Sequence, residues 1–332
     1  GATGHIGGAI VNAIWAQLPE VEVAALVRDQ DKAARLEKAY PRIRAIVGDI
    51  RNVNLIESES KAAGIVISMS YKAPVQSPAA IEAALRGLAL RPRKGFYIQT
   101  SGAFLVGEDA GGERGTDMLW NDVQHIERII TMSPDRYHQR TDQLVRHEST
   151  DVNVAIVSPT VVYGLSKSTQ NQIPITIRDI VATAKRLSAG FTIAQGRNIL
   201  GYVHVNDLAD IYVKLVADAE RGSASDARLW GPHSYYFANG EELTFAEYME
   251  ALVETLKERG VISTDVIKEI GAESNVSDWK IVNATAVVHG YGMTVRCQSE
   301  RAQTLLGWKP REKSVKETLP EVVDLILSRE LW

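Results

Sequence analysis

"GATGHIGGAIVNAIWAQL", residues Gly1 to Leu18, decides the fold of this chain. Gly1, Gly4 and Gly7 recur at a spacing of three, and Ile10, Ile14 and Leu18 follow at helical spacing. The pattern predicts a tight turn running directly into a helix. Gly1 permits the turn, Gly4 lets a diphosphate approach the backbone, and Gly7 allows the helix to pack closely on a strand. The helix then aims the free N–H groups of its first turn at the anion. His5 and Ile6 are expected to bond through backbone or to pack, rather than to react. Such a turn normally follows a buried strand, so the sequence is expected to lack a short N-terminal segment of about ten residues.

Outward from this stretch, "VEVAALV" (Val21 to Val27) alternates and reads as a strand, closed by Arg28 and Asp29 before the helical "KAARLEKAY". Ile43 to Ile50 reads as a strand, "NLIESESK" as a weak helix, Gly64 to Ser70 as a buried strand, "PAAIEAALRGLALR" as a helix, and Gly95 to Gly102 as the next strand. Strands separated by helices need crossover connections, which predicts an α/β fold with a doubly wound, mainly parallel sheet. Residues 102–131 break the rhythm and read as a long surface excursion near a ligand mouth. Ser133 then caps a helix that has Pro134 in its first turn, and Val152 to Pro159 is a strand. A boundary near Gly164 divides residues 1–164, the nucleotide-binding domain, from 165–332, a smaller α/β substrate-binding lobe. Within that lobe, residues 201–220 are expected to return to the main sheet.

With 332 residues, 45% of them hydrophobic and 23% charged, the chain can bury a large core. A formal charge of −4 without a dense Lys/Arg cluster gives no reason to expect a nucleic acid or a membrane as partner. No apolar run reaches the roughly 18 residues of a membrane span. A single cysteine, Cys297, fits a reducing compartment, so a cytoplasmic enzyme is expected. His125, His147, His204, His233 and His289 lack ligand spacing, so no metal is expected. The assembly stays open, with a homodimer as one option.

The residue that reads the adenosine ribose should close the second strand of such a fold, and Arg28 stands there. A guanidinium holds a ribose 2′-phosphate by paired charge-assisted hydrogen bonds, so NADP(H) is the expected cofactor. An inward-pointing Asp29 would weaken that preference.

These residues resemble the extended and atypical short-chain dehydrogenase/reductase superfamily, in particular its NAD(P)-dependent epimerase/dehydratase-like group with dihydroflavonol-reductase-like members. The likeness includes "GATGHIGG", "LVR", "GDI" at Gly48 to Ile50, "TSG" at Thr100 to Gly102, "SPTVVYG" at Ser158 to Gly164, "YVHVNDLADIYV" and "ERAQTLLGWKP". It implies a Rossmann fold, an adenine contact through Asp49 beside Ile50, and a catalytic serine at Ser101. It also implies a nicotinamide-side wall that includes Pro159 and Val161; Ser68, Ser70 and Tyr71, at the end of the preceding buried strand, are candidates for the same border, with Met69 expected to pack. The superfamily's Tyr-x-x-x-Lys pair is absent from "SPDRYHQRTDQLV" (Ser133 to Val145). In the family register His138 takes the lysine place and Pro134 the tyrosine place. His138 can still bond the nicotinamide ribose, with Asp142 one turn on to orient its ring. Tyr137, about 100° around the helix from the expected face, is a candidate proton donor.

The resemblance implies an NADP(H)-dependent oxidoreductase acting on a carbonyl or secondary alcohol of a partly apolar small molecule. Trp120, Tyr163, Tyr235, Tyr236 and Phe237 are candidates for aromatic pocket surface. Two other functions keep the same nucleotide pocket: a redox-neutral isomerase, epimerase or cyclase, and a non-catalytic NADP(H)-sensing protein. Fold alone does not choose among them.

Overall fold

The fold was obtained as a computed structural model that describes residues 1–69, 78–271 and 289–331; Ser70 and Tyr71 lie outside the described residues. Helix α1 (His5–Gln17) follows the glycine turn. Strands and helices then alternate: β1 (Val23–Val27), α2 (Gln30–Ala39), β2 (Ile43–Val47), α3 (Val53–Ala62), β3 (Ile65–Ser68), α4 (Pro78–Ala89) and β4 (Phe96–Thr100). The middle of the chain holds β5 (Glu108–Asp109), β6 (Trp120–Asn121), α5 (Ile126–Ile130), α6 (Gln139–His147), β7 (Asn153–Pro159) and β8 (Val161–Tyr163). After these come α7 (Ile175–Leu187), β9 (Gly190–Ile193), β10 (Ile199–His204), α8 (Val205–Ala219), β11 (Tyr235–Ala238), β12 (Glu241–Thr244) and α9 (Phe245–Glu258). Helices Glu300–Leu306 and Val315–Ser328 close the chain.

Four strands lie in the order β11-β7-β4-β3, all parallel, and β1 pairs in parallel with β2. The period-two side-chain pattern explains why helices cover both faces. Tyr97, Val154, Ile156, Tyr235 and Phe237 enter one core with Ile81 and Leu85 of α4 and Val145 of α6. The residues between them, Phe96, Ile98, Ala155, Val157, Tyr236 and Ala238, enter the other core with Ile10 and Ile14 of α1 and Leu208 and Tyr212 of α8. The result is a doubly wound, mainly parallel Rossmann sheet with an additional C-terminal α/β lobe.

Three expectations need correction. The strand in "GYVHV" does not rejoin the main sheet: β10 lies between β8, in parallel, and β12, antiparallel, and β11 takes the place beside β7. Pro159 ends β7 with no N–H to give a further ladder bond, and the chain leaves the sheet to form β8, on which β10 adds. Helix α8 does return, packing Leu208, Tyr212 and Val216 into the core shared with α1.

Residues 102–131 are not a loose excursion. Ala103–Val106 forms a 3-10 turn with Ala103 and Leu105 fully buried, β5 pairs with Met293–Thr294, and β6 pairs with Cys297–Gln298. The buried Asp122 carboxylate accepts from the backbone N–H groups of Phe237 and Arg301, each at 2.9 Å. Those partners lie far along the chain, where no local pattern reveals them. Finally, Tyr236 and Phe237 are fully buried strand residues that fill the two cores instead of lining a pocket.

Candidate active site

The glycine turn has the geometry of an anion cradle. The Gly4 N–H donates to the Gly1 carbonyl at 2.9 Å, and Gly8 N–H to the Gly4 carbonyl at 2.8 Å. Gly4 caps α1 in extended conformation, no side chain caps the helix, and no acidic residue stands in its first turn. The first-turn N–H groups, including those of His5 and Ile6, therefore have no side-chain acceptor competing with an anion among the described residues. A Cβ on Gly7 would lie 2.1 Å from the Gly1 oxygen, and one on Gly1 would lie 2.5 Å from Met69 Cβ, just past β3. Only glycine allows both approaches. These features fit the diphosphate of a nicotinamide dinucleotide.

Arg28, exposed at the end of β1, makes no hydrogen bond or ion pair among the described residues. Its neighbour Asp29 is committed elsewhere. That carboxylate caps α2, accepting the Lys32 N–H at 2.8 Å and pairing with the Lys32 ammonium. These hydrogen bonds hold it below the usual carboxylate range. Asp49 follows β2 and accepts from the backbone N–H of Arg51 at 2.8 Å and from its Nε at 2.7 Å. The Arg51 bonds, with a smaller attraction from Arg28, hold the Asp49 carboxyl down at about 2. Ile50 is half-buried beside it.

The alternation of β4 continues past its last residue and sorts three polar side chains. Tyr97 donates to Gln99 Oε1 at 3.0 Å. The Thr100 and Tyr212 hydroxyls share a bond of 2.8 Å on the α8 side. Ser101 points the other way, toward α6, and its hydroxyl donates to Asp142 Oδ2 at 2.5 Å. Tyr235 completes the cluster: its phenol donates to Ser158 Oγ at 3.0 Å and lies 3.4 Å from Asp142 Oδ2 and 3.5 Å from Ser101 Oγ. Ser101 is 2% exposed and Asp142 1%. Burial pushes the Asp142 carboxyl up to about 7, against the opposing bonds from Ser101 and Tyr235 and the attraction of Arg146. Its Oδ1, also buried, has no hydrogen-bond partner among the described residues.

Helix α6 begins later than expected. Ser133 and Pro134 lie in a turn, closed by Arg136 N–H to the Ser133 carbonyl at 3.1 Å, and the helix starts at Gln139. His138 is its N-cap, in left-handed conformation with φ 66°. Tertiary bonds hold this entry: Arg136 donates to the Gly107 carbonyl at 2.7 Å, and the Gln139 amide to the Ile129, Ile130 and Met132 carbonyls. Pro134 thus lies outside the helix on which the family register rests. The His138 ring packs on Gly102, where a Cβ would meet its Nε2 at 2.7 Å, so it stands beside Ser101. Burial holds the ring neutral down to about 4, and the Asp142 carboxyl goes to Ser101 instead of orienting it. Tyr137 is 58% exposed.

On the other side of the turn, Pro159 ends β7, Val161 opens β8, and the chain reaches Gly164. His5 Nε2 lies 2.9 Å from the Gly164 oxygen, and burial depresses the His5 ring to about 4. A cavity of about 760 Å³ lined by Arg93, Lys94, Phe96 and Trp230 opens at the N-terminal edge of β4 and β7, the opposite end of the sheet from these groups. Open parallel sheets receive ligands at the C-terminal ends of their strands, the end at which Ser101 stands.

The grouping of Ser101 with Asp142 and Tyr235 has no signature in the sequence. The four-residue spacing pairs Asp142 with His138 instead, and Tyr235 sits in a "YYF" run whose inward parity needs the strand register.

Residues 1–173 match the model of a family described as NAD(P)H-binding. The oxidase ucsJ of an Acremonium species is 26% identical over 99% of this chain and 96% of its own length. The dTDP-glucose 4,6-dehydratase of Bacillus anthracis, in complex with NAD, superposes with a TM-score of 0.68 at 14% identity, covering 100% of this chain and 96% of that one. UDP-glucose 4-epimerase of Thermotoga maritima gives 0.65 at 13% identity, covering 99% and 98%. The yeast methylglyoxal/isovaleraldehyde reductase complexed with NADPH gives 0.61 at 15%, covering 99% and 97%. At these identities the structural likenesses speak for the fold.

Proposed function

The chain belongs to the NAD(P)H-binding family, and from that premise we propose that it is an NADP(H)-dependent oxidoreductase acting on a carbonyl or secondary alcohol of a partly apolar small molecule. The observation that carries this reading is the Ser101 hydroxyl, held at the C-terminal end of a central parallel strand and hydrogen-bonded to a buried carboxyl. A hydroxyl so placed can hydrogen-bond a substrate oxygen and exchange a proton with it.

Gly1, Gly4 and Gly7, with the amides of His5 and Ile6, hold the diphosphate. Arg28 holds the ribose 2′-phosphate, and the absence of any hydrogen bond or ion pair to its guanidinium among the described residues, while Asp29 caps α2, supports the preference for NADP(H). Asp49 and Ile50 border the adenine. Ser68, Pro159 and Val161 border the nicotinamide, and His138, packed on Gly102, faces its ribose. When bound, the nicotinamide supplies hydride to a carbonyl carbon or takes it from an alcohol carbon. Tyr137 plays no part in this reading, since its ring lies largely in solvent. The oxidase relative and the NADPH-bound reductase among the fold neighbours agree with it.

Calorimetric titration with NADPH and NADH, followed by nicotinamide absorbance with a panel of aldehydes and ketones, tests the reading. Tighter NADPH binding with net nicotinamide turnover is expected. Product formation without net consumption would point to redox-neutral chemistry. Binding with no turnover across the panel would point to a sensor.

A further inference from the structure

We infer that Asp142 is the proton reservoir of this site, exchanging its proton with the substrate oxygen through the Ser101 hydroxyl; the inference rests on the oxidoreductase reading. Ser101 is then the catalytic residue, and Asp142 and Tyr235 are positioning residues that act through it.

The geometry has two protonation states. With Asp142 ionised, the Ser101 O–H is spent on Oδ2 across the 2.5 Å that separates the two oxygens. With Asp142 protonated, the carboxyl O–H donates to Ser101 Oγ, and the serine proton is free to turn toward a substrate. During carbonyl reduction the substrate oxygen gains charge as its carbon accepts hydride. The Ser101 O–H bond breaks and a new O–H forms on the substrate, while the Asp142 O–H breaks and its proton restores the serine. The products are an alcohol and an Asp142 carboxylate that accepts the Ser101 O–H. Water reaching the site after product release replaces the proton. Alcohol oxidation runs each transfer in reverse.

Several features favour a stored proton at this carboxyl. Asp142 has no ion pair among the described residues, since Arg146 on its own helix donates instead to the Pro232 and Ile130 carbonyls, each at 2.8 Å. Oδ1 is buried without a hydrogen-bond partner there. An ionised carboxylate in that setting is penalised, and the neutral form relieves the penalty. The groups facing it from β4 are Ser101 and Tyr97, and from β11 Tyr235; the tyrosines are neutral, held so by burial. His138, the other titratable side chain next to Ser101, is neutral near pH 7 and carries no extra proton to donate.

The test uses the full chain with Asp142→Asn and Tyr235→Phe. For carbonyl reduction, wild-type kcat/KM should fall as pH rises through about 7, and for alcohol oxidation it should rise. Asp142→Asn should lower kcat/KM by about 10²–10⁴-fold and erase that limb while leaving NADPH affinity unchanged. Tyr235→Phe removes a bond that lowers the carboxyl pKa, so its limb should move to higher pH. Infrared spectroscopy without substrate supplies an independent readout: a protonated-carboxyl component that titrates near neutrality and is lost in Asp142→Asn, while the component from Asp122 remains. Absence of that band, or an Asp142→Asn enzyme with wild-type activity and an unchanged limb, overturns the inference. Should Asp142→Asn fail to fold, the Tyr235→Phe rate profile and a shift of one carboxyl component to higher pH in the same variant decide. A wild-type protein that reduces no carbonyl would sink the oxidoreductase reading, and the band would still report separately on where the proton resides.

Discussion

His5 Nε2 stands 2.9 Å from the Gly164 carbonyl oxygen, which joins the glycine turn to the head of the second lobe across 159 positions of sequence. Further contacts reinforce this junction. The Asn171 amide donates to the Thr3 carbonyl at 3.0 Å, and Ser168 packs on Gly8 so closely that a Cβ there would lie 2.1 Å from Oγ. Gly164 itself has φ +78°, and a Cβ would come within 2.0 Å of His204 Nε2. The segment after β8 is therefore a structural neighbour of the cofactor cradle, and changes to one should be felt in the other.

Gly164→Ala should destabilise the fold by about 1–3 kcal/mol, combining left-handed strain with the His204 clash. His5→Ala removes one hydrogen bond, for about 1 kcal/mol. Both should weaken NADPH binding without abolishing it. Thermal melts with and without NADPH check this; a His5→Ala protein with unchanged melting and unchanged ligand-induced stabilisation would remove the junction's role.

Gly7 and Gly8 differ in what crowds them, and this yields a sharper contrast. A Cβ on Gly7 strikes the Gly1 backbone, whereas one on Gly8 strikes the Ser168 side chain. Gly7→Ala should abolish dinucleotide binding, and no side-chain change should restore it. Gly8→Ala should cost about 1–3 kcal/mol by overpacking and be largely rescued by Ser168→Gly. Equal rescue of both variants by Ser168→Gly would contradict the packing described.

Arg28→Ala should raise the NADPH dissociation constant about 10- to 100-fold, the worth of charge-assisted hydrogen bonds to the 2′-phosphate, and leave NADH nearly unaffected. Higher salt should narrow the difference. Calorimetry with both cofactors reads it directly, and a parallel loss for NADH would show that Arg28 acts on the loop as a whole.

Much of this architecture is legible in sequence because it is written locally. The alternation in "GFYIQTSG" places a strand and its end, and the Gly1–Leu18 pattern places a turn and a helix; both stand where expected. What escapes is non-local. Ser133 and Pro134 are sound start signals for a helix, but Arg136 and Gln139 bind carbonyls around residues 105–107 and 129–132 and delay the start. The partner of "GYVHV" depends on where Pro159 lets the chain leave the sheet. Asp142 lies in the helix that His138 caps but turns to Ser101, 41 positions upstream, a meeting that only the packing of α6 on the sheet creates.

The buried titratable groups also set how stability answers to pH. His5 and His138 are depressed to about 4 in the fold from 6.5, so between those values the unfolded chain binds more protons and acidification costs stability. Asp122 and Asp142 are raised to about 7 from 3.8, so over their window the folded chain holds more protons and acidification adds stability. From pH 6.5 down to about 4 the two pairs oppose each other in their effect on the urea midpoint. Asp142→Asn deletes one of the compensating carboxyls, leaving the histidines less opposed. Its midpoint should therefore drop on acidification across that window relative to that of wild type. A variant whose midpoint tracks wild type from pH 7 to 4 would mean that the Asp142 carboxyl is ionised in the fold, which would also remove the stored proton on which its action through Ser101 depends.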